Sequence, residues 1–164
     1  MCRLLLLSHS ELSKSFYQTI ELIMGKPSPK ISYLTLPYGQ DMDVYQRMVE
    51  KQVLESKDEG ILILTDLFGG SPFMISTRVY EKYRKKFSME IVCGMNLPMV
   101  VEVTSALKQN LSLDAIKQIA LDSGHKGIVD FSKLLSNTSS KRKENEEWVL
   151  KWFVLMIAWF MVKL

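Results

Sequence analysis

Ile61-Leu62-Ile63-Leu64-Thr65-Asp66-Leu67-Phe68-Gly69-Gly70-Ser71-Pro72-Phe73 is the stretch that decides the fold. Gly60 opens it, and residues 61–64 are the most apolar of the short runs in the chain, the pattern of a buried strand. Asp66 to Gly70 then reads as a tight turn into a helix. Ser71 fits the N-cap and Pro72 the first helical position, where a missing N–H costs nothing. The helix is predicted to run to about residue 85.

The same unit repeats on either side. Residues 3–7 are a short apolar run suited to a strand buried on both faces. Residues 11–24 follow at helical spacing through Leu12, Phe16, Ile20 and Ile23, ended by Gly25 and Pro27. Residues 31–36 read as a second strand, stopped by Pro37 and Gly39. Residues 41–56 are again helical, through Val44, Met48, Val49 and Val53. Downstream, 89–93 is a fourth strand, 97–108 and 113–122 are helices, and 128–131 is a short final strand. Strand and helix alternating in this way predict an α/β fold, a doubly wound and mostly parallel sheet with helices on both faces.

Composition agrees. The 164 residues are 47% apolar and 24% charged, a globular balance in a chain long enough for one core. With 21 basic and 18 acidic residues the charge gives no nucleic-acid footprint. Cys2 and Cys93 make neither a disulfide framework nor a zinc site, and Cys93 at a strand end suits the core. The run 4–7 is too brief for a signal peptide, so a cytoplasmic protein is expected. No Walker loop, dinucleotide fingerprint, HExxH or Gly-x-Ser-x-Gly is present. His125 sits in a glycine-flanked, turn-like context and reads as an exposed loop residue.

An open parallel sheet places its ligand site at the carboxyl ends of the strands, where the strand order reverses. His9 lies just past the first strand and Asp66 just past the third, and these strands are commonly neighbours in such sheets. A carboxylate that accepts one imidazole N–H fixes the tautomer and exposes the other nitrogen as a nucleophile. The helix opening at Ser71 aims free N–H groups at the same crevice, which suits a phosphoryl group. Gly69 and Gly70 allow close backbone approach, and Ser8, Ser10 and Ser71 offer hydroxyls. Together they describe a histidine that is transiently phosphorylated. Taken singly, each has a plain structural reading: a loop histidine, a turn aspartate, a capping Ser-Pro. Geometry alone leaves both readings standing.

Three segments carry a resemblance: Leu7-Ser8-His9, Thr65-Asp66-Leu67-Phe68-Gly69-Gly70-Ser71-Pro72-Phe73, and Gly94-Met95-Asn96-Leu97-Pro98-Met99. With a late Asp122-Ser123-Gly124 to Gly127-Ile128 segment, they make residues 1–135 resemble the IIA component of the mannose-type (mannose, fructose, sorbose) sugar phosphotransferase system. The resemblance implies that His9 accepts a phosphoryl group from phospho-HPr and passes it to a IIB component, which serves uptake through membrane IIC and IID components. It implies that Asp66 orients His9, that Ser71, Gly70 and Ser10 bind phosphoryl oxygens, and that no metal or organic cofactor takes part. It further implies a homodimer whose last strand, here 128–131, can cross to the partner subunit. Ser10 stands where the family has Gly, and Met74 where it has Asn. A non-transferring regulatory module is the alternative from another class. The phosphotransferase component of dihydroxyacetone kinase, which shares a Ser-His-Ser turn, is the alternative within the fold.

Residues 136–147 read as a polar linker and 148–164 as an apolar tail. The uninterrupted apolar run, 152–162, is 11 residues, against about 20 for a membrane span. Docking on the domain, contact with the membrane surface and an accident of the coding sequence are the competing readings. The abrupt change of composition favours the last.

Overall fold

The first four of the five predicted strands form. The computed structural model, which describes residues 2–135, sets them side by side in one parallel sheet of order β2-β1-β3-β4. The elements are β1 (Arg3–His9), α1 (Leu12–Met24), β2 (Ile31–Leu36), α2 (Met42–Glu55), β3 (Ile61–Thr65), α3 (Ser71–Tyr83), β4 (Met89–Cys93), α4 (Leu97–Ala106) and α5 (Leu113–Lys126). Residues up to Gly127 form one compact unit, and the described residues beyond it belong to a second. The linker 136–147 and the tail 148–164 lie outside the described residues. No helix among the described residues is long and apolar enough to cross a membrane.

The strand order and crossover handedness together place the helices. β1 to β2 steps one way across the sheet, and β2 to β3 steps back past β1. Right-handed crossovers therefore send α1 to one face, and α2 and α3 to the other. Side chains alternate accordingly. Leu4, Leu6, Leu62 and Leu64 pack with Ile20 of α1 and with Val100, Val103 and Ile116 of α4 and α5. Leu5, Leu7, Ile61 and Ile63 pack with Tyr45, Val49 and Val53 of α2 and with Ile75 and Val79 of α3. β3 is buried at every residue, the environment its unbroken apolar run requires. β1 and β3 are neighbours, and the chain leaves them in opposite directions, so the switch-point crevice lies between their carboxyl ends.

Several expectations are corrected. α2 buries Tyr45, Val49 and Val53, a clean i, i+4, i+8 stripe, which turns Val44 and Met48 outward. α1 likewise leaves Leu12 and Ile23 exposed. The segment 128–131 is not a strand: 128–130 have no regular structure and 131–135 are helical. Asp130 supplies the reason, since its carboxylate accepts the N–H of Lys133 at 3.2 Å, the chemistry of a helix cap. His125 is exposed, but in the last turn of α5 rather than in a loop. Cys93 is only half-buried and lies outside the two apolar clusters.

The third and fourth motif segments meet each other. Asn96 caps α4 by accepting from Met99 N at 3.0 Å, and its amide donates to Gly124 O at 3.0 Å. A side chain at Gly124 or Gly127 would collide with Met99 or Pro98. Glycines three apart, in the last turn of α5 and at its C-cap, thus let the start of α4 lie against it.

α2 and α3 are tied by Glu50, which accepts from Lys82 Nζ at 2.9 Å, Tyr83 Oη at 3.3 Å and Gln46 Nε2 at 3.0 Å. The Gln46 amide, then the Lys82 ammonium, holds its carboxyl below the usual carboxylate range. A lowered folded-state pKa stabilises the fold above the unfolded value and stops doing so as pH falls through the folded one. Glu50→Gln is therefore expected to melt about 2–4 °C below the wild type at pH 7, with the gap closing below about pH 4. Thermal melts across pH measure this.

Candidate active site

β1 carries His9 into the crevice as its last residue rather than just past the strand. The register pairs His9 with Leu36 of β2, a non-local contact that extends the strand two residues beyond its apolar run. Ser10 then turns the chain at once. Its φ of +48° is in the left-handed region, and its N–H donates to Leu36 O at 2.8 Å, which pins the turn. A non-glycine residue there costs on the order of 1 kcal/mol or more, a strain found at functional sites.

Asp66 is the first residue after β3. Its Oδ2 accepts the backbone N–H of His9 at 2.9 Å and also lies 2.9 Å from His9 Nδ1. Its Oδ1 accepts the N–H of Leu67 at 2.8 Å. The carboxylate is thus fixed by two backbone donors, and its side chain is only 11% exposed, against 43% for His9. An acceptor-only carboxylate at Nδ1 selects the tautomer with the proton on Nδ1, leaving the Nε2 lone pair free.

Nε2 faces the start of α3. An ideal Cβ on residue 70 would stand 2.5 Å from His9 Cε1 and 3.2 Å from Nε2. The imidazole therefore lies against backbone that only glycine leaves clear. Gly70, not Ser71, is the N-cap of α3; its own N–H donates to Leu67 O at 3.1 Å. Ser71 and Pro72 open the helix, so the N–H groups of Ser71 and Phe73 have no acceptor inside it and sit at its positive end. Gly69, at φ +76°, supplies the left-handed step of the turn.

The structure brings His9, Asp66, Ser10, Gly70 and Ser71 to one end of the sheet. It removes Ser8. Strand alternation points Ser8 to the opposite face, fully buried, where its Oγ accepts the N–H of Ser13 at 2.6 Å. Residues the sequence reading passed over also border His9. Leu36, Pro37, Tyr38, Gly39, Gln40 and Met42 line a cleft with His9 and Ser10. Leu67 and Phe68 project from the Asp66 turn, and Phe68, Tyr38 and Met74 are strongly exposed apolar side chains. Aromatic residues in turns just past strand ends are the signal that could have found them. Among the described residues no group of three or more His, Cys, Asp or Glu side chains could hold a metal ion.

Comparison with known proteins follows the same lines. The family model described as "PTS system fructose IIA component" matches residues 3–121. The mannose-specific EIIAB component of Escherichia coli strain K12 is 25% identical over 122 residues, 74% of this chain and 36% of the relative, so the chain spans only a minor part of that protein. The sorbose-specific EIIA component of Lacticaseibacillus casei is 29% identical over 100 residues, 61% of this chain and 70% of that one. The crystal structure of phosphotransferase system component EIIA from Streptococcus agalactiae has a TM-score of 0.75 and 26% identity, covering 81% of this chain and 99% of that one. By its fold, its motif segments and the family model spanning its sheet, the chain belongs to the mannose-type IIA components of the sugar phosphotransferase system.

Proposed function

We propose that the protein is a phosphocarrier that accepts a phosphoryl group from phospho-HPr on Nε2 of His9 and passes it to a IIB component for sugar uptake. The observation that carries this reading is the double engagement of Asp66 Oδ2 by the backbone N–H and the Nδ1 of His9, which leaves Nε2 against the N-terminus of α3. The Nε2 lone pair attacks the phosphorus of the donor phosphohistidine. The new N–P bond forms as the donor N–P bond breaks, and the donor ring, protonated on its other nitrogen, departs with the electron pair as neutral imidazole. The acceptor ring gains positive charge while keeping its Nδ1 proton, and the Asp66 carboxylate faces that charge. The free N–H groups of Ser71 and Phe73, with the Ser71 and Ser10 hydroxyls, face the phosphoryl oxygens. Holding donor and acceptor in line supplies the rest. The exposed side chains of Tyr38, in the cleft beside His9, and of Phe68 and Met74, in the turn after Asp66 and the first turn of α3, give a partner apolar surface to dock on. A homodimeric, cytoplasmic working form belongs to the same proposal.

Gly70 gives this reading a sharp test. Its φ of −70° and ψ of 166° suit alanine, so Gly70→Ala leaves the turn intact while its methyl displaces the His9 ring. The phosphorylation rate is expected to fall about 10²-fold, with an unchanged melt. Wild-type rates would show that the ring is not seated there.

Transfer itself is tested by a chase. Protein labelled from phosphoenolpyruvate through enzyme I and HPr is expected to lose its label to a cognate IIB component within seconds. Label that forms on His9 and is retained establishes the regulatory module instead.

A further inference from the structure

Two buried hydroxyls beneath the site have no partner. Tyr45 and Thr65 are both fully buried, and neither Tyr45 Oη nor Thr65 Oγ1 makes a hydrogen bond among the described residues. Each such group costs about 1–3 kcal/mol if left unsatisfied, so two together call for an explanation. Their placement offers one. Thr65 ends β3, next to Asp66, and is the register partner of Leu7 in β1. By alternation its side chain points to the α2–α3 face, where Ile61 and Ile63 also point, as do Leu5 and Leu7. His9, two residues beyond Leu7, ends that same row. Tyr45 lies in the same cluster, in the first turn of α2, just below the loop that lines the His9 cleft.

The third polar group there is Asp66. A carboxylate offers roughly four acceptor sites, and the N–H groups of His9 and Leu67 with His9 Nδ1 occupy three. Burial, and after it the charge of Asp66, pushes the Tyr45 phenol up, so it stays protonated and remains a donor.

We propose that Tyr45 is a positioning residue of the phosphoryl-transfer site: its hydroxyl and that of Thr65 are joined through an internal water to the remaining acceptor site of Asp66, and hold the carboxylate that holds His9. Resting on the phosphocarrier reading, this explains why two polar groups sit in an otherwise apolar cluster at this end of the sheet. A buried water bridging several polar groups is an ordinary part of such structures. Removing the phenol hydroxyl loosens the carboxylate and, through it, the imidazole, without touching the donor protein.

Tyr45→Phe keeps the ring and its packing. It is expected to lower kcat for phosphorylation by phospho-HPr about three- to tenfold, with KM for phospho-HPr unchanged. It is also expected to displace the NMR resonance of the His9 Nδ1 proton that faces Asp66. Thr65→Val, which keeps shape and backbone, should do the same, and the double variant should lose no more than the worse single one, because both belong to one network. A variant that melts higher than wild type with kcat and the Nδ1 resonance unmoved would overturn the proposal, since the hydroxyl would then be a plain orphan. Additive losses in the double variant would also overturn it. The resonance requires no phosphoryl transfer, so this result stands apart from failure of the phosphocarrier reading, which would show as an unlabelled wild type.

Discussion

His9→Ala is expected to take up no acid-labile phosphate from phosphoenolpyruvate, enzyme I and HPr, while His125→Ala labels as the wild type does. The chain has two histidines, so the pair of variants is a complete test of which one reacts. His125 lies exposed in the last turn of α5, the end that packs against the start of α4 beyond the edge strand β4, whereas His9 ends the inner strand β1. His9 alone has a carboxylate on one ring nitrogen and a helix start beside the other. The loss should be total rather than partial, because a covalent carrier without its nucleophile has no route for the N–P bond. Stability should hardly change. The His9 side chain is nearly half exposed, and Asp66 keeps its two backbone donors in the variant. Thermal melts beside the labelling assay separate loss of chemistry from loss of fold.

Asp66→Asn is the second large effect. It keeps the shape of the side chain, and its amide oxygen can still accept a backbone N–H, so the turn survives. What changes is the group facing His9. The negative charge that offsets the positive ring is gone. If the amide nitrogen faces Nδ1, it also favours the wrong tautomer, with the proton on Nε2 and no lone pair for phosphorus. Losing a group that orients an imidazole and stabilises its charge lowers rates by about 10²- to 10⁴-fold. The same range is expected for phosphorylation by phospho-HPr, with KM little affected because docking uses the exposed apolar surface. Asp66→Ala should be slower still and should melt lower, since the N–H groups of His9 and Leu67 then lose their acceptor. Normal transfer by Asp66→Asn would remove Asp66 from the mechanism.

Much of this was legible in the chain. Four apolar runs separated by helical spacing predict the parallel sheet, and the neighbouring first and third strands place His9 beside Asp66. What sequence alone misjudged depended on contacts far apart in the chain. β1 extends to His9 because Leu36 is there to pair with it, and once His9 is in the strand, Ser8 must face the other way. Ser71-Pro72 has the chemistry of a cap, but the packing of His9 against residue 70 puts a glycine in that role. On α2 two apolar rows compete at helical spacing, Val44–Met48 and Tyr45–Val49–Val53, and only packing on the sheet selects the second for burial. The segment 128–131 has strand-like apolar residues, but Asp130 between Val129 and Phe131 is a competing helix cap. Tyr45 and Thr65 could not be singled out in advance. Their hydroxyls stand out only because the fold buries both without a partner, and nothing in their local sequence marks that.

The central claim is that Asp66 claims Nδ1 of His9 and so delivers Nε2 to phosphorus. It is tested most directly by long-range proton–nitrogen NMR on ¹⁵N-labelled, HPr-phosphorylated protein, which assigns the N–P bond to one ring nitrogen of one histidine. The account predicts a phosphoryl group on Nε2 of His9, with Nδ1 still protonated and facing Asp66. A phosphoryl group on Nδ1 of His9, or on His125, would contradict it.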